Sequence, residues 1–292
     1  MEFLSYLISG ISLGSVYAII ALGYTMVYGI AKMLNFAHGD VIMVGGYVSF
    51  CVVFYLDLPH WLALILAMIV CTVLGVVIEG LAYKPLRQAQ SLAVLITAIG
   101  VSYFLQNAAL LIWGASPRIF SPIVEGQWEL MGGELKISWV TIVTVVVCIV
   151  IAVILTLFTN KSKMGKAMRA CSEDKGAAQL MGINVNRTIS LTFAIGSALA
   201  AIAGVLLCSY TTSLMPTTGS MPGIKAFTAA VFGGIGSIPG AFLGGILLGV
   251  IEALAKAYIS TQLSNAILFA VLIVVLLVRP AGLLGKYVPE KV

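Results

Sequence analysis

Eight long apolar runs constrain the fold of this chain more than any other feature of its sequence. They lie at 4–30, 41–56, 61–82, 92–113, 139–158, 189–210, 241–258 and 266–278. A helix needs about 20 apolar residues to cross a bilayer, so most of these runs are long enough to be membrane spans. The mean hydropathy of +1.10 over 292 residues leaves too little polar surface to cover a soluble globule. We therefore expect an all-α, polytopic integral membrane protein with a single transmembrane domain over residues 1–292.

The longest polar stretch, residues 159–187, predicts how the spans are oriented. This polar loop holds six of the sixteen Lys and Arg residues in a chain that is only 9% charged. Short basic loops stay on the cytoplasmic side during insertion, so the polar loop is expected there, with the basic connection 84–90 and the basic tail 279–291. The connection 114–138 is acidic and tryptophan-rich, which is typical of an outer segment.

A short crossing is needed between two of the full spans. The run at 189–210 leaves the cytoplasmic side and the last run returns to it, but only one full span, 241–258, lies between them. The segment 222–236 is the candidate, although glycines and prolines interrupt it and it is too short to span alone. Half-length helices are tolerated where protein or a water-filled cavity satisfies the backbone, and in transporters they often line the substrate site.

The expected total is therefore about 8–10 transmembrane helices, including broken or half-length ones, with nine as the favoured count and the amino terminus outside. The first turn, residues 31–40, leaves two alternatives open. It is either a cytoplasmic loop or a break that lies inside the membrane, and in the second case the count and the side of the amino terminus change.

Glycines separated by three residues occur in four pairs, which are Gly10 and Gly14, Gly219 and Gly223, Gly240 and Gly244, and Gly245 and Gly249. This spacing favours close packing of membrane helices. A second interpretation makes 240–249 a sliding surface during gating.

The polar loop contains a pattern that predicts a small helix of about nine residues. Ser172 is the expected amino-terminal cap, Glu173 and Asp174 place negative charge at the positive end of the helix dipole, and Gly182 is the expected stop. Ala177 and Ala178 would then present a nearly flat surface. A helix this short is marginal in water, so we expect a partner to pack against it. A solvated surface turn is the alternative.

Several classes of function are not indicated. Gly165 and Lys166 are followed by Ala167, without the upstream glycine of a phosphate-binding loop, and no nucleophile, base and orienting group occur together. The five cysteines lack metal-ligand spacing. The net charge of +5 comes from inner loops that orient the spans, so nucleic acid is not an expected partner. We expect no catalytic residues, no metal and no cofactor bound by this chain.

Seven segments resemble one protein family. The opening SLGSVYAIIALGYTMVYGI, followed by LNFAHGD and VGGY, is similar to the permease subunits of bacterial branched-chain amino acid ABC importers. GKAMRA and EDKGAAQLMGI in the polar loop, GSIPGAFLGG after the short crossing and RPAGLLG near the end are similar to the same family. The similarity is collinear and runs nearly the whole length of the chain.

This resemblance implies the ABC importer permease fold and a role in moving leucine, isoleucine and valine into the cytoplasm. It implies a bacterial inner-membrane protein that pairs with a second, longer permease subunit. Two cytoplasmic ATPases would carry ATP and Mg²⁺, and an extracytoplasmic binding protein would deliver the amino acid. The chain itself would hydrolyse nothing.

The resemblance also makes the polar loop the segment that couples to the ATPase. The matching positions, together with the expected cap, are Ser172, Glu173, Asp174, Ala177, Ala178 and Gly182. Lys175 and Gly176 separate the acids from the alanines, which departs from the simplest family pattern. Which of the two acids contacts the ATPase is therefore left open.

Polar residues inside apolar runs are costly and are candidates for the translocation pathway or its gate. These candidates are Asn35, His38, Asp40, Gln106, Asn107 and Lys225. The first three could instead cap the following helix. Lys225 could face the carboxylate of the amino acid or extend to the outer surface. Glu252 and Lys256 have the spacing of an ion pair within a helix.

Two rival functions remain open from sequence. A related ABC permease for urea or short amides would share the fold and the polar loop. A secondary transporter or channel, which we consider less favoured, would need no ATPase.

Overall fold

The computed structural model describes residues 2–87, 89–130 and 135–285. Its α-helices are α1 Glu2–Ala31, α2 His38–Leu56, α3 His60–Ile78, α4 Ser91–Trp113, α5 Trp139–Lys161, α6 Lys163–Glu173, α7 Lys175–Leu180, α8 Val185–Thr211, α9 Ser220–Gly233, α10 Ile238–Tyr258 and α11 Ser264–Val278. A π-helical turn, Glu79–Tyr83, and a 3-10 turn, Lys84–Leu86, continue α3. The part of the basic tail from residue 286 onward lies outside the described residues.

The structure confirms the predicted spans. Each of the eight apolar runs lies in a helix, and within the described ranges seven helices are long and apolar enough to cross a membrane. The last run forms the shorter helix α11, with 15 residues. The interrupted segment at 222–236 forms the half-length helix α9, with 14 residues. The chain is therefore a polytopic, helical membrane protein.

The outer connections of this all-α fold also contain short strands. The described part of the chain has four, which are β1 Arg118–Ile119, β2 Gln127–Leu130, β3 Leu135–Ser138 and β4 Ser213–Leu214. β1 pairs with β4 and β2 pairs with β3, both antiparallel. Trp128 stacks on Trp139 where the β2–β3 hairpin meets α5. The aromatic pair fits the interfacial position that the sequence predicts for this connection.

The most extensive helix packing in the described structure is between α1 and α10, and it depends on glycine. A methyl group added at Gly10 would lie 2.8 Å from the Cα of Val250, and one added at Gly14 would lie 2.8 Å from the Cα of Ile246. Gly249 faces Gly14 so closely that a methyl group there would overlap its backbone. Gly10 faces Val250 and Gly14 faces Ile246, so residue numbers rise along α1 as they fall along α10, and the two helices are antiparallel. The packing role predicted for these pairs is confirmed.

The two ends of the α1–α10 pair identify the two ends of the molecule. Tyr6 and Tyr258 meet edge to face, with ring centroids 5.8 Å apart. At the opposite end, the Lys175 amine in the polar loop bonds to the carbonyl of Ala31. The amino end of α1 thus lies away from the polar loop, as expected for an amino terminus on the outer side.

The first turn is a break inside the protein. Residues 32–37 are not helical, and Lys32 has a φ of 57°. The ring of His38, at the start of α2, lies 4.6 Å from that of Tyr24. Tyr24 is seven residues, or about 10 Å of helix, before the end of α1. The break therefore lies within the protein rather than in a cytoplasmic loop, but α1 still crosses fully because it ends beside the polar loop.

Helix α9 starts next to this break. A methyl group added at Gly39 would lie 2.8 Å from the carbonyl oxygen of Gly219, and one at Gly223 would lie 2.9 Å from the Cα of Gly39. The amino ends of α2 and α9 therefore meet in the interior.

The other end of α9 is capped by the segment after α11. The amide of Leu283 donates to the carbonyl of Phe232, and the amide of Leu284 donates to that of Gly233, both at 2.9 Å. The last carbonyls of a helix have no partner within it. The tail segment supplies those partners.

Candidate functional site

Most of the predicted site residues lie in two regions, and the first is a polar cluster where the amino ends of α2 and α9 meet. The Nε2 of Gln106 on α4 donates to Asp40 at 2.9 Å. The hydroxyl oxygens of Ser102 and Ser220 each lie 3.2 Å from the same nitrogen. Asp40 is almost fully buried. This polar cluster (Asp40, Ser102, Gln106 and Ser220) joins α2, α4 and α9 through groups that water would otherwise solvate.

The polar cluster contains only two of the six pathway candidates. Asp40 and Gln106 belong to it, whereas Ser102 and Ser220 were not predicted. A serine in an apolar helix does not by itself indicate a functional site, because its hydroxyl can donate to a backbone carbonyl of its own helix. What selects these two serines is the tertiary arrangement, in which Ser220 at the start of α9 lies beside Gln106, and Ser102 lies one turn before Gln106 on α4.

Asn35 and His38 lie beside the polar cluster in separate environments. Tyr83, in the π-helical turn, donates to Asn35 Oδ1 at 2.9 Å. The His38 ring packs against Tyr24 and abuts Gly23, where a methyl group would collide with it. The capping alternative for Asn35, His38 and Asp40 is wrong. Helix α2 begins after Ala37 with no side-chain cap bond.

Lys225 forms a buried ion pair. Its Nζ lies 2.7 Å from Glu252 Oε1, Lys256 reaches the same oxygen at 2.6 Å, and Tyr17 donates to Oε2 at 2.9 Å. Lys225 is buried, so the interpretation in which it extends to the outer surface is wrong, while its contact with the substrate carboxylate stays a prediction. The predicted pair of Glu252 and Lys256 is confirmed. A charge buried at membrane depth needs a partner, and the carboxylate on α10 supplies it.

Asn107 lies apart from the polar cluster, although Gln106 is its neighbour in sequence. Successive positions on a helix point about 100° apart, so Asn107 faces outward. Its Nδ2 donates to the carbonyl of Tyr103 at 2.7 Å, and the side chain is exposed.

The second region is the polar loop, which forms two helices rather than the predicted one. Asp174 breaks the chain with extended backbone angles between α6 and α7. Its Oδ1 accepts from the amides of Gly176 at 2.7 Å and Ala177 at 3.0 Å, so Asp174 is the cap. The prediction that Ser172 caps this helix is wrong. Ser172 lies inside α6 and donates to the carbonyl of Arg169.

The end of α7 agrees with the sequence, since Gly182 has a φ of 81° in the left-handed region. The helix is shorter than expected, with six residues. Glu173, the other acid of the pattern, is the exposed last residue of α6.

The alanine pair does not form one flat exposed surface. Ala178 is only 3% exposed and packs in a small core with Met168 and Cys171, while Ala177 faces outward. The exposed apolar tip of α7 consists instead of Leu180, which is 90% exposed, and Met181, which is 82% exposed. The periodicity of a short amphipathic helix could have predicted that Ala178 faces inward. The sequence analysis instead assumed one continuous helix from Ser172, whereas the chain breaks at Asp174 and a new helix begins at Lys175.

Lys175 connects this small helix to the membrane domain. Its Nζ donates to the carbonyl of Ala31, the last residue of α1, at 2.8 Å. Burial, and then the charges of Arg87 and Lys32, lower the pKa of Lys175. The amine therefore sits where positive charge is costly, and a helix carboxyl end is a favourable partner for it.

Arg87 fixes the neighbouring connection. It pairs with the buried carboxylate of Glu79 and with Asn186. Ser190 donates to the other oxygen of Glu79 at 2.6 Å. These bonds join the inner end of α3 to the start of α8, next to an open cleft of about 500 Å³ that Arg87 and Lys175 both line.

No metal centre is formed in the described ranges, where no three His, Cys, Asp or Glu side chains are grouped closely enough to hold an ion. The two regions are instead connected through α1. The short helix α7 contacts the end of α1 through Lys175, and the chain continues from α1 through the break to the polar cluster.

Comparison with known proteins gives the family. The family model described as "Branched-chain amino acid transport system / permease component" matches residues 6–276. The high-affinity branched-chain amino acid transport system permease protein LivH of Salmonella typhimurium is 48% identical over 303 aligned residues, covering 100% of this chain and 98% of that protein.

More distant relatives extend the comparison. The high-affinity branched-chain amino acid transport system permease protein BraD of Pseudomonas aeruginosa is 45% identical over 302 residues, with the same coverage of 100% and 98%. The ribose import permease protein RbsC of Haemophilus influenzae is 28% identical over 225 residues, covering 75% of this chain and 66% of that protein. With a full-length family match on a polytopic helical fold, the chain belongs to the permease components of branched-chain amino acid transport systems.

Proposed function

We propose that this chain is the smaller of two permease subunits in an ATP-driven importer of leucine, isoleucine and valine. The proposal is supported by relatives at 45% and 48% identity that cover the whole chain and whose names describe branched-chain amino acid transport. The importer works in the bacterial inner membrane. The binding protein and the longer second permease complete it on the outer side and within the bilayer.

The ATPases dock on the polar loop. The observation that carries this assignment is the exposed tip of α7, where Leu180 and Met181 project from an otherwise charged loop. Exposed apolar side chains that the fold itself does not use are typical of a protein interface. The chain binds no cofactor, because ATP and Mg²⁺ belong to the ATPases.

Lys175 transmits the motion of the docked helix. Closure of the ATPase pair on ATP displaces α7, and the bond from Lys175 to Ala31 carries that displacement to the end of α1. The chain after Ala31 is the non-helical break, which has few backbone bonds to resist a shift. The polar cluster lies beyond the break, where α2 and α9 begin.

The interior suits a zwitterion with an apolar side chain. Lys225 is buried and paired with Glu252, so its amine is not free to trap the carboxylate of the substrate. The polar cluster offers amide and hydroxyl groups instead. A passage with mostly apolar walls and a few such groups lets an amino acid enter and leave.

Transport by the reconstituted complex tests the proposal. The two permeases and the ATPases are placed in liposomes with the binding protein, and uptake of labelled leucine and of labelled urea is measured with and without ATP. Leucine uptake that requires both ATP and the ATPases is expected. Uptake without the ATPases would identify a secondary transporter or channel, and uptake of urea but not leucine would replace the substrate.

A further inference from the structure

The exposed faces of the membrane helices differ in chemistry. On α3 and α5 they are aliphatic, and the members are Ile65, Ile69, Val73 and Val77 on α3 and Val146, Val150, Val153 and Leu157 on α5. Such faces match hydrocarbon. The exposed face of α4 also carries apolar side chains, such as Ile96 and Leu111, but between them lie Gly100, Tyr103 and Asn107, which we call the α4 stripe.

The α4 stripe lies at membrane depth and faces away from the protein. Asn107 is six residues from Trp113, the interfacial end of α4, and therefore about 9 Å inside it. The buried side chains of α4 are those of Val94, Ala98, Leu105 and Ala109. On a helical projection these four centre on the side opposite Asn107.

Hydrocarbon is a poor environment for this stripe. An asparagine side chain has two N–H donors and an oxygen that can accept twice, and within the described structure the side chain of Asn107 makes one bond, to the carbonyl of Tyr103. The side chain of Tyr103 is 62% exposed. Lipid tails offer these groups no partner, so another surface with hydrogen-bonding groups is favoured over them.

The α4 stripe is also continuous with the polar cluster. Ser102 and Gln106 occupy the flank of α4 that faces Asp40 and Ser220. Tyr103 and Asn107 occupy the next positions around the helix. The polar side chains of α4 thus extend around the helix from the protein interior to the surface that faces away from the protein.

We infer that the α4 stripe packs against a membrane helix of the second permease subunit, and that this helix presents a hydrogen-bonding side chain to Asn107. The inference rests on the proposed function, which supplies that subunit. Nothing in the described structure lies within 4 Å of a methyl group added at Gly100. The space above this glycine is therefore open, and the backbone of a partner helix can come close to it. Small residues with polar side chains between them are the usual composition of helix contacts in membranes.

Photo-crosslinking in the complete importer tests the inference. Benzoylphenylalanine is placed at position 107, and in a matched sample at position 146, since Val146 is 53% exposed and lies seven residues from interfacial Trp139. Irradiation is expected to join this chain to the second permease from position 107 and not from 146. Equal yields from both positions, or adducts from 107 with lipid alone, would overturn the inference.

A substitution gives an independent readout. Asn107→Leu should lower the amount of second permease that co-purifies by roughly threefold, the size expected for one interhelical bond, whereas Val146→Leu should not change it. The thermal stability of the chain should be unchanged, because the Asn107 side chain bonds only within its own helix. Full retention of the second permease by Asn107→Leu counts against the inference.

The two proposals fail in different ways. If leucine uptake and ATPase binding are intact but position 107 gives no adduct with the second permease, the inference is wrong and the proposed function stands. If no second permease and no ATPase accompany the chain, both are wrong.

Discussion

The amine of Lys175 lies 2.8 Å from the carbonyl oxygen of Ala31, so a helix of the polar loop is bonded directly to the end of the first membrane helix. Lys175 follows Asp174, the cap of α7, and Ala31 precedes the break that leads to α2. The bond therefore links α7, the helix on which we propose that the ATPases dock, to the end of the first membrane helix.

Removing this bond should uncouple transport from ATP hydrolysis. In Lys175→Met the loop keeps its helices and its exposed tip, so ATPase co-purification is expected to persist. Leucine uptake per ATP hydrolysed should fall about tenfold, the effect of losing a charge-assisted hydrogen bond worth about 1.5 kcal/mol. Lys166→Met removes an exposed charge from α6 of the same loop and is the control. Similar losses in both variants would show that charge alone matters.

The exposed tip of α7 should be required for docking. Leu180→Asp leaves the core of the chain intact, because the leucine is 90% exposed. It should reduce ATPase co-purification roughly 30-fold, as expected for an interface residue worth about 2 kcal/mol. Gln179→Asp adds the same charge one position earlier and should have a smaller effect. Binding that survives Leu180→Asp would place the interface elsewhere on the loop.

Ala178→Arg should act on the fold of the loop rather than on its surface. The side chain would have to enter the packed group around Met168 and Cys171, where a charge finds no partner. We expect a lower melting temperature in detergent than for Ala177→Arg, which faces outward. Equal melting temperatures for the two variants would contradict the burial of Ala178.

The ion pair between Lys225 and Glu252 should be costly to break from one side. Glu252→Gln leaves Lys225 buried without its carboxylate, and loss of one partner of a buried pair typically destabilises by about 3–5 kcal/mol. The double variant with Lys225→Met removes the stranded charge and should recover much of the melting temperature. A double variant as unstable as the single one would show that the pair does not account for the loss.

Helix packing makes a prediction with an internal control. Gly249→Ala inserts a methyl group into the backbone of Gly14, so the α1–α10 contact must open. Overpacking of this kind typically costs about 1–3 kcal/mol, measurable as a lower melting temperature. Gly80→Ala adds the same methyl group where nothing lies within 4 Å and should be neutral or slightly stabilising.

The sequence predicted the spans because each one is a long apolar run, a pattern that depends on the bilayer and not on neighbouring helices. It also predicted the left-handed Gly182, since that conformation is a local property of glycine. The cap was misplaced at Ser172 because serine and aspartate are equally good caps, and only the packing of Ala178 decides between the two registers.

The errors at membrane depth have a different cause. Lys225 and Glu252 are 27 positions apart, and only the antiparallel arrangement of α9 and α10 brings them together. Ser220 became part of the polar cluster because α9 starts in the interior, which its apolar pattern does not reveal. Partners that are distant along the chain leave no periodic signal in one sequence.

The bonds from Leu283 and Leu284 to the end of α9 have a practical consequence for work with this protein. Shortening the chain to end before Leu283 would leave two helix carbonyls without donors, at about 1–3 kcal/mol each. Affinity tags and fluorescent fusions should therefore be attached downstream of Gly285, with a spacer that does not pull on the residues before it. The shortest version that keeps α9 intact extends through Leu284.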